Sequence, residues 1–137
     1  MFSIGELSKK TGVKIPTIRY YEQMKLLEEP ERSTGNQRRY TQRGLERLSF
    51  ICHARALGIS VADIRQLVEL SEAPDKPCSK AHTIAAQHLV SVRESIKKLR
   101  RLERELKRIT SIPDSGHVDQ CKIIKTLADH SLCETEH

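Results

Sequence analysis

A mainly α-helical chain is predicted, with a winged helix-turn-helix head, a two-helix connector and one long helix built to pair with another. Three observations predict it. Two short helical segments hinge at Gly12 and are followed, by residue 40, by a basic, turn-rich loop. Residues 79–109 contain neither Pro nor Gly. Aromatic residues are only 4% of the 137, with no Trp, so the core must be aliphatic; charged residues at 31% suit helices with much exposed surface.

The elements follow in order. Ser3 and Glu6 have the Ser-x-x-Glu spacing of a capping box, which starts a first helix over 3–12. Gly12 permits the sharp turn after it. Residues 14–24 read as a second helix, with Pro16 near its start, where a missing N–H costs little. Ile15, Ile18, Leu26 and Leu27 are expected to pack inward, leaving Thr17, Arg19 and Tyr21 exposed. Pro30 and the Gly35-Asn36 pair mark a wing and its tip. Thr41 is the expected N-cap of a third helix whose apolar positions are Leu45, Leu48, Ile51, Ala54 and Leu57, ended by Gly58. Ser60 caps a fourth helix over 61–70, buried through Ile64, Leu67 and Val68.

After a break at residues 73–77 comes the long helix. Ala85, Leu89, Val92, Ile96, Leu99 and Leu106 form a heptad seam interrupted only by Glu103. A narrow stripe on an otherwise polar helix implies a partner helix. A loop with Pro113 and Gly116 then leads to a short amphipathic helix over 121–130. The expected divisions are 1–74, the winged helix-turn-helix head and connector; 75–110, the dimerisation helix; and 111–137, a loop, short helix and polar tail.

Charge and composition narrow the function. The net charge is +6 and the pI about 9.3, compatible with a polyanion partner. The first 47 residues hold ten Lys or Arg against six Glu, so the basic excess is read as lying with the motif. No run approaches the ~20 apolar residues of a membrane span. The N-terminus lacks the charged and apolar regions of a signal peptide, so a cytoplasmic, reduced setting is expected. Cys52, Cys78, Cys121 and Cys133 then read as free thiols or metal ligands, with Cys52 structural. No nucleophile–base set is recognisable, so no enzyme is expected.

A helix-turn-helix with a basic wing holds duplex DNA by its groove and phosphates. Arg19, Arg32, Arg38 and Arg39 offer charge-assisted N–H donors for phosphates. Lys14, Thr17, Tyr20, Tyr21, Ser33, Asn36 and Tyr40 complete the expected DNA-contacting set. Core packing is the competing use of the Tyr20 and Tyr40 rings.

These segments together resemble the MerR family of transcription regulators. The resemblance is carried by Ile4-Gly5-Glu6-Leu7, Thr17-Ile18-Arg19-Tyr20-Tyr21-Glu22, Arg32-Ser33 with Asn36, Arg38 and Tyr40, and Arg47-Leu48-Ser49-Phe50-Ile51 with Arg55-Ala56-Leu57-Gly58. It covers essentially the whole chain. It implies a homodimer joined by an antiparallel coiled coil, bound to an operator between two promoter elements. It also implies activation by distorting that DNA for RNA polymerase when an inducer binds. Gln37 departs from the pattern at a wing position that is usually aromatic.

The resemblance points further, to the group responding to divalent zinc, cadmium or lead. Cys78 precedes the long helix, while His117 and Cys121 follow it, ~45 Å away at ~1.5 Å per residue. An antiparallel partner brings Cys78 of one chain beside His117 and Cys121 of the other. Two thiolates and an imidazole suit Zn²⁺. In metal-sensing relatives a Cys matching Cys78 marks sensors of divalent ions, Cys121 matches the last loop Cys, and His117 resembles a loop His of the zinc-responsive type. The Cys that those sensors carry at the loop's start is replaced here by Ile112-Pro113-Asp114, which favours zinc first, with cadmium or lead next. Asp114, Asp119, His82, Cys133 or water could complete the site, and His82 lies one turn from Cys78. Two rival readings are a regulator sensing an organic or redox signal through the same thiols, and an effector-free DNA-architectural protein.

Overall fold

The computed structural model describes residues 1–114 and 116–129. The chain divides into two compact units, residues 1–85 and residue 86 onward.

In the first unit, α1 (Ile4–Thr11) starts at the predicted capping box. Glu6 N donates to Ser3 Oγ (3.1 Å), and Ser3 N donates back to Glu6 Oε1 (3.3 Å). The Ser3 backbone N–H, and then the Ser3 hydroxyl, stabilise the charged Glu6 carboxylate and hold it below its usual range. Gly12 ends α1 at φ 76°, and its N–H donates to Ser8 O (2.8 Å). Helix α2 (Ile15–Gln23) follows, with Lys14 at its N-cap and Pro16 in its first turn.

Lys25 ends this segment at φ 59°, a left-handed conformation that an L side chain with a Cβ resists. Leu26 N bonds Tyr21 O (3.0 Å) across it. Replacing Lys25 with Gly is expected to stabilise the head by about 0.5–1 kcal/mol, because the relief of left-handed strain exceeds glycine's entropy cost. A melting curve checks this, and a lower midpoint for Lys25→Gly would refute it.

The wing is an antiparallel pair, β1 (Glu31–Arg32) with β2 (Arg38–Arg39), in which Glu31 faces Arg39 and Arg32 faces Arg38. Asn36 turns its tip at φ 60°, a conformation Asn tolerates well. Phe2 and Tyr40 exchange both backbone bonds (2.7 Å each), fastening the end of β2 to the start of the chain.

Helices α3 (Gln42–Ala56) and α4 (Val61–Ser71) begin at the predicted caps Thr41 and Ser60. Leu7, Ile18, Leu26, Leu48, Ile51 and Ile64 are fully buried, so each of the four helices and the turn after α2 contribute to one aliphatic core. Arg47 and Arg43 reach Glu72 at the end of α4 (2.8 and 3.4 Å), tying α3 to it. The hydrogen bond and charge of Arg47 lower the Glu72 pKa. Glu72 is exposed, so the pair contributes little stability.

Two side chains lie where the periodicity did not put them. Tyr21, expected outside, is buried at 7% exposure and belongs to the core. Leu57, expected inside, is 59% exposed. Gly58 (φ 83°) reverses the chain there, and Ile59 N bonds Ala54 O (3.1 Å). Ile59 therefore packs on the core in the place Leu57 was expected to take.

Helix α5 (Ser79–Thr110) runs 32 residues. Its seam is bare: Leu89, Val92, Ile96, Leu99 and Leu106 are 38–63% exposed. Leu102, also exposed, adds an apolar side chain beside Glu103, where the heptad pattern lapsed. In the second unit a single 3₁₀ turn (Val118–Gln120) precedes α6 (Lys122–Ala128). No helix among the described residues is long and apolar enough to cross a membrane.

Candidate nucleic-acid interface and metal ligands

The head gathers the predicted arginines. Arg19 from α2, Arg32 from β1 and Arg38 from β2 line one open groove of about 450 Å³ with Ser3, Ile4, Asn36 and Gln37. Each is placed by a different local rule. Arg19 is on the exposed side of α2, since Ile18 and Tyr21 take the buried side. Arg32 and Arg38 are opposite each other in the wing register. Arg32 Nη1 also donates to Asn36 O (3.4 Å), which keeps its guanidinium near the tip. Gln37, where an aromatic was expected, lines the groove with its polar side chain and accepts from Arg39 Nη2 (3.5 Å).

The remaining predicted contacts divide by exposure. Lys14 is exposed, Thr17 and Ser33 are half-buried, and Arg39 is half-buried. Tyr20 is 46% exposed, its ring 5.9 Å from that of Tyr21. The Tyr21 and Tyr40 rings are core. Tyr40 donates its hydroxyl to Glu22 Oε1. Burial, then this bond to a carboxylate, pushes the Tyr40 pKa well up, so its hydroxyl stays a neutral donor. Glu22 was absent from the expected site. Its signal was an acid amid a basic motif, placed three residues after Arg19 on one helix.

Net charge turns out to be a poor locator of this surface. Helix α5 carries nine Lys or Arg against three Glu, an excess equal to that of the whole chain, so all other residues together balance. The expected concentration of basic charge with the motif is corrected accordingly. What distinguishes the head is that three guanidinium groups reach one groove from three separate elements, α2, β1 and β2.

The predicted metal ligands occupy two places. Cys78 is exposed just before α5, and His82, exposed, donates its backbone N–H to Cys78 O (3.1 Å). In the second unit, Cys121 is half-buried at the start of α6, and His117, exposed, precedes the 3₁₀ turn that leads to it. Asp119 is exposed, and Asp114 accepts from Gly116 N (2.8 Å). Cys52, Cys78 and Cys121 are free thiols. Among the described residues of one chain, no three His, Cys, Asp or Glu side chains converge as a metal site. Cys133 lies outside the described residues, as do His130 and His137.

Comparison with known proteins fits this architecture. Residues 2–70 match the model of the MerR HTH family regulatory protein, and residues 45–109 match that described as MerR, DNA binding. The regulator ZntR of Escherichia coli K12 is 39% identical over 110 residues, covering 80% of this chain and 78% of its own. The mercuric resistance operon regulatory protein of Bacillus cereus is 34% identical over 127 residues, covering 92% and 96%. The crystal structure of the regulator PbrR691 from Ralstonia metallidurans CH34, in complex with lead(II), superposes with a TM-score of 0.81 at 39% identity, covering 93% of this chain and 99% of that one. The matched models take in the head, the connector and the long helix, and the chain belongs to the MerR family of helix-turn-helix regulatory proteins.

Proposed function

We infer that the protein is a metal-responsive transcription regulator of the cytoplasm that binds promoter DNA as a homodimer. The observation that carries the DNA part is the single groove lined by Arg19, Arg32 and Arg38. One such head is too small to read a long site, and the bare seam of α5 supplies the means to join two. A second α5 covering Leu89, Val92, Ile96, Leu99, Leu102 and Leu106 removes the largest run of exposed apolar side chains among the described residues. An antiparallel pairing serves both ends of the dimer alike.

The same pairing accounts for the ligands. Cys78 of one protomer meets His117 and Cys121 of its partner, with His82, Asp114, Asp119 or Cys133 available to complete the set. The donors fit a divalent metal: two thiols and an imidazole are a common zinc combination. Support for a metal also comes from the relatives named for ZntR and from PbrR691 solved with lead(II). Zinc is the first choice because the loop's opening positions, Ile112-Pro113-Asp114, offer an oxygen donor and no sulfur. Cadmium or lead comes next. Metal bound across the interface ties the loop of one protomer to the start of the other's α5. It shifts the placement of the two heads by as much as it prefers one placement to the other. RNA polymerase then meets a distorted promoter.

The test is elemental analysis of the purified dimer after exposure to Zn²⁺, Cd²⁺ and Pb²⁺, with in vitro transcription from a promoter carrying the selected operator. About one binding site per protomer and a zinc-dependent rise in transcript are expected. Absence of bound metal, or a response to thiol oxidants with metal removed, would refute metal sensing.

A further inference from the structure

Glu22 stands near the end of α2 with its side chain only 9% exposed. Such a buried carboxylate is strongly unfavourable unless compensated. Among the described residues, the two groups that reach it both come from the wing. Tyr40 donates its hydroxyl to Oε1, and Arg38 Nη2 lies 3.7 Å from Oε2. Arg38 and Tyr40 are two residues apart in extended chain, so they face one side, toward α2. Tyr40 is held again from behind by its backbone exchange with Phe2. Arg38 is the cation of β2 on the groove, beside Arg32 of β1, while Arg19, one helical turn before Glu22, is the cation of α2 there.

We propose that Glu22 is a positioning residue that locks the wing to α2 and thereby makes the head discriminate operator from other duplexes. The inference rests on the DNA-binding reading given above. A locked wing presents Arg38 at a fixed separation from Arg19, so only DNA whose phosphates meet both at once gains both contacts. Glu22 also partly neutralises Arg38, which weakens its pull on phosphates out of register. Released from the carboxylate, Arg38 follows any backbone within reach. Sequence-independent attraction then rises while the selected geometry loses its advantage.

The experiment compares a duplex selected by the wild-type dimer from a random pool with a scrambled duplex, each titrated across salt. Glu22→Gln is expected to bind the scrambled duplex more tightly. Its dependence of log K on log salt should steepen by about one per head, and its preference for the selected duplex should fall by roughly tenfold. Tyr40→Phe keeps the ion pair and loses one hydrogen bond. Its preference should fall by a smaller factor with the salt slope unchanged, and it carries the test if Glu22→Gln does not fold. A merely structural role predicts that both duplexes weaken by the same factor with no change of slope, and that result overturns the proposal. A wild-type protein that selects no duplex overturns the DNA-binding reading instead.

Discussion

Replacing Cys78 with Ser should abolish the metal response while leaving metal-free operator binding within about twofold of wild type. The two halves of this expectation have separate causes. A serine hydroxyl stays protonated at neutral pH and is a poor ligand for a thiophilic ion, so one of about four donors is lost. Loss of a residue that merely orients a ligand costs ~10–100-fold in affinity, and loss of the ligand itself should exceed that. Cys78 is exposed and does not line the arginine groove, so the DNA-binding surface is untouched. Competition against a chromophoric chelator measures the first effect, and operator titration without metal measures the second. Zinc affinity should also climb with pH as bound thiols release their protons. Cys121→Ser should behave in the same way.

Combining the two variants tests where the site is built. If Cys78 of one chain works with Cys121 of the other, a mixed dimer of Cys78→Ser and Cys121→Ser chains has one site with both defects and one intact. Such a dimer should bind half the wild-type metal at wild-type affinity. A site within one chain leaves neither chain whole, and the mixed dimer would then bind no better than either variant alone. That outcome, or unaltered zinc affinity in Cys78→Ser, removes the inter-protomer site.

The parts of this protein governed by short-range rules were legible in the sequence. Ser3 with Glu6, Gly12, Thr41 and Ser60 specify their caps through bonds within a turn, and all four act as expected. The long helix followed from a run, 79–109, without Pro or Gly, and its extent differs by one residue. Side-chain direction near helix ends was less legible. Tyr21 went to the core because the chain after α2 turns back at Lys25, bringing Leu26 and Leu27 under it. Leu57 lost its core position to Ile59 for a similar reason: a left-handed residue inverted the chain before the pattern was complete. The groove was foreseen as a set of arginines but not as a cavity, and Glu22 was missed because its partners are far along the chain. The proposed meeting of Cys78 with His117 and Cys121 rests on a second copy, a relation that no local rule encodes.

Arg19→Ala and Arg38→Ala should each weaken operator binding by about 10–100-fold, from a loss of ~1.5–3 kcal/mol per charge-assisted phosphate contact. Each should also reduce the salt slope by about one per head, since fewer counterions are released on binding. The two variants differ in what else they disturb, and this makes the pair informative. Arg19 is exposed, so its removal should leave the melting temperature nearly unchanged. Arg38 helps compensate the buried Glu22 carboxylate, so its removal should lower the melting temperature measurably as well. Arg19→Ala is therefore the clean measure of a DNA contact. The double variant then reports whether the wing and α2 grip the same stretch of backbone. If both guanidinium groups must be satisfied together, the second substitution costs less than the first, because the geometry that made it valuable is already lost. Strict additivity would mean that each arginine finds its phosphate independently, and an unchanged salt slope in Arg19→Ala would mean that the groove is not where the duplex lies.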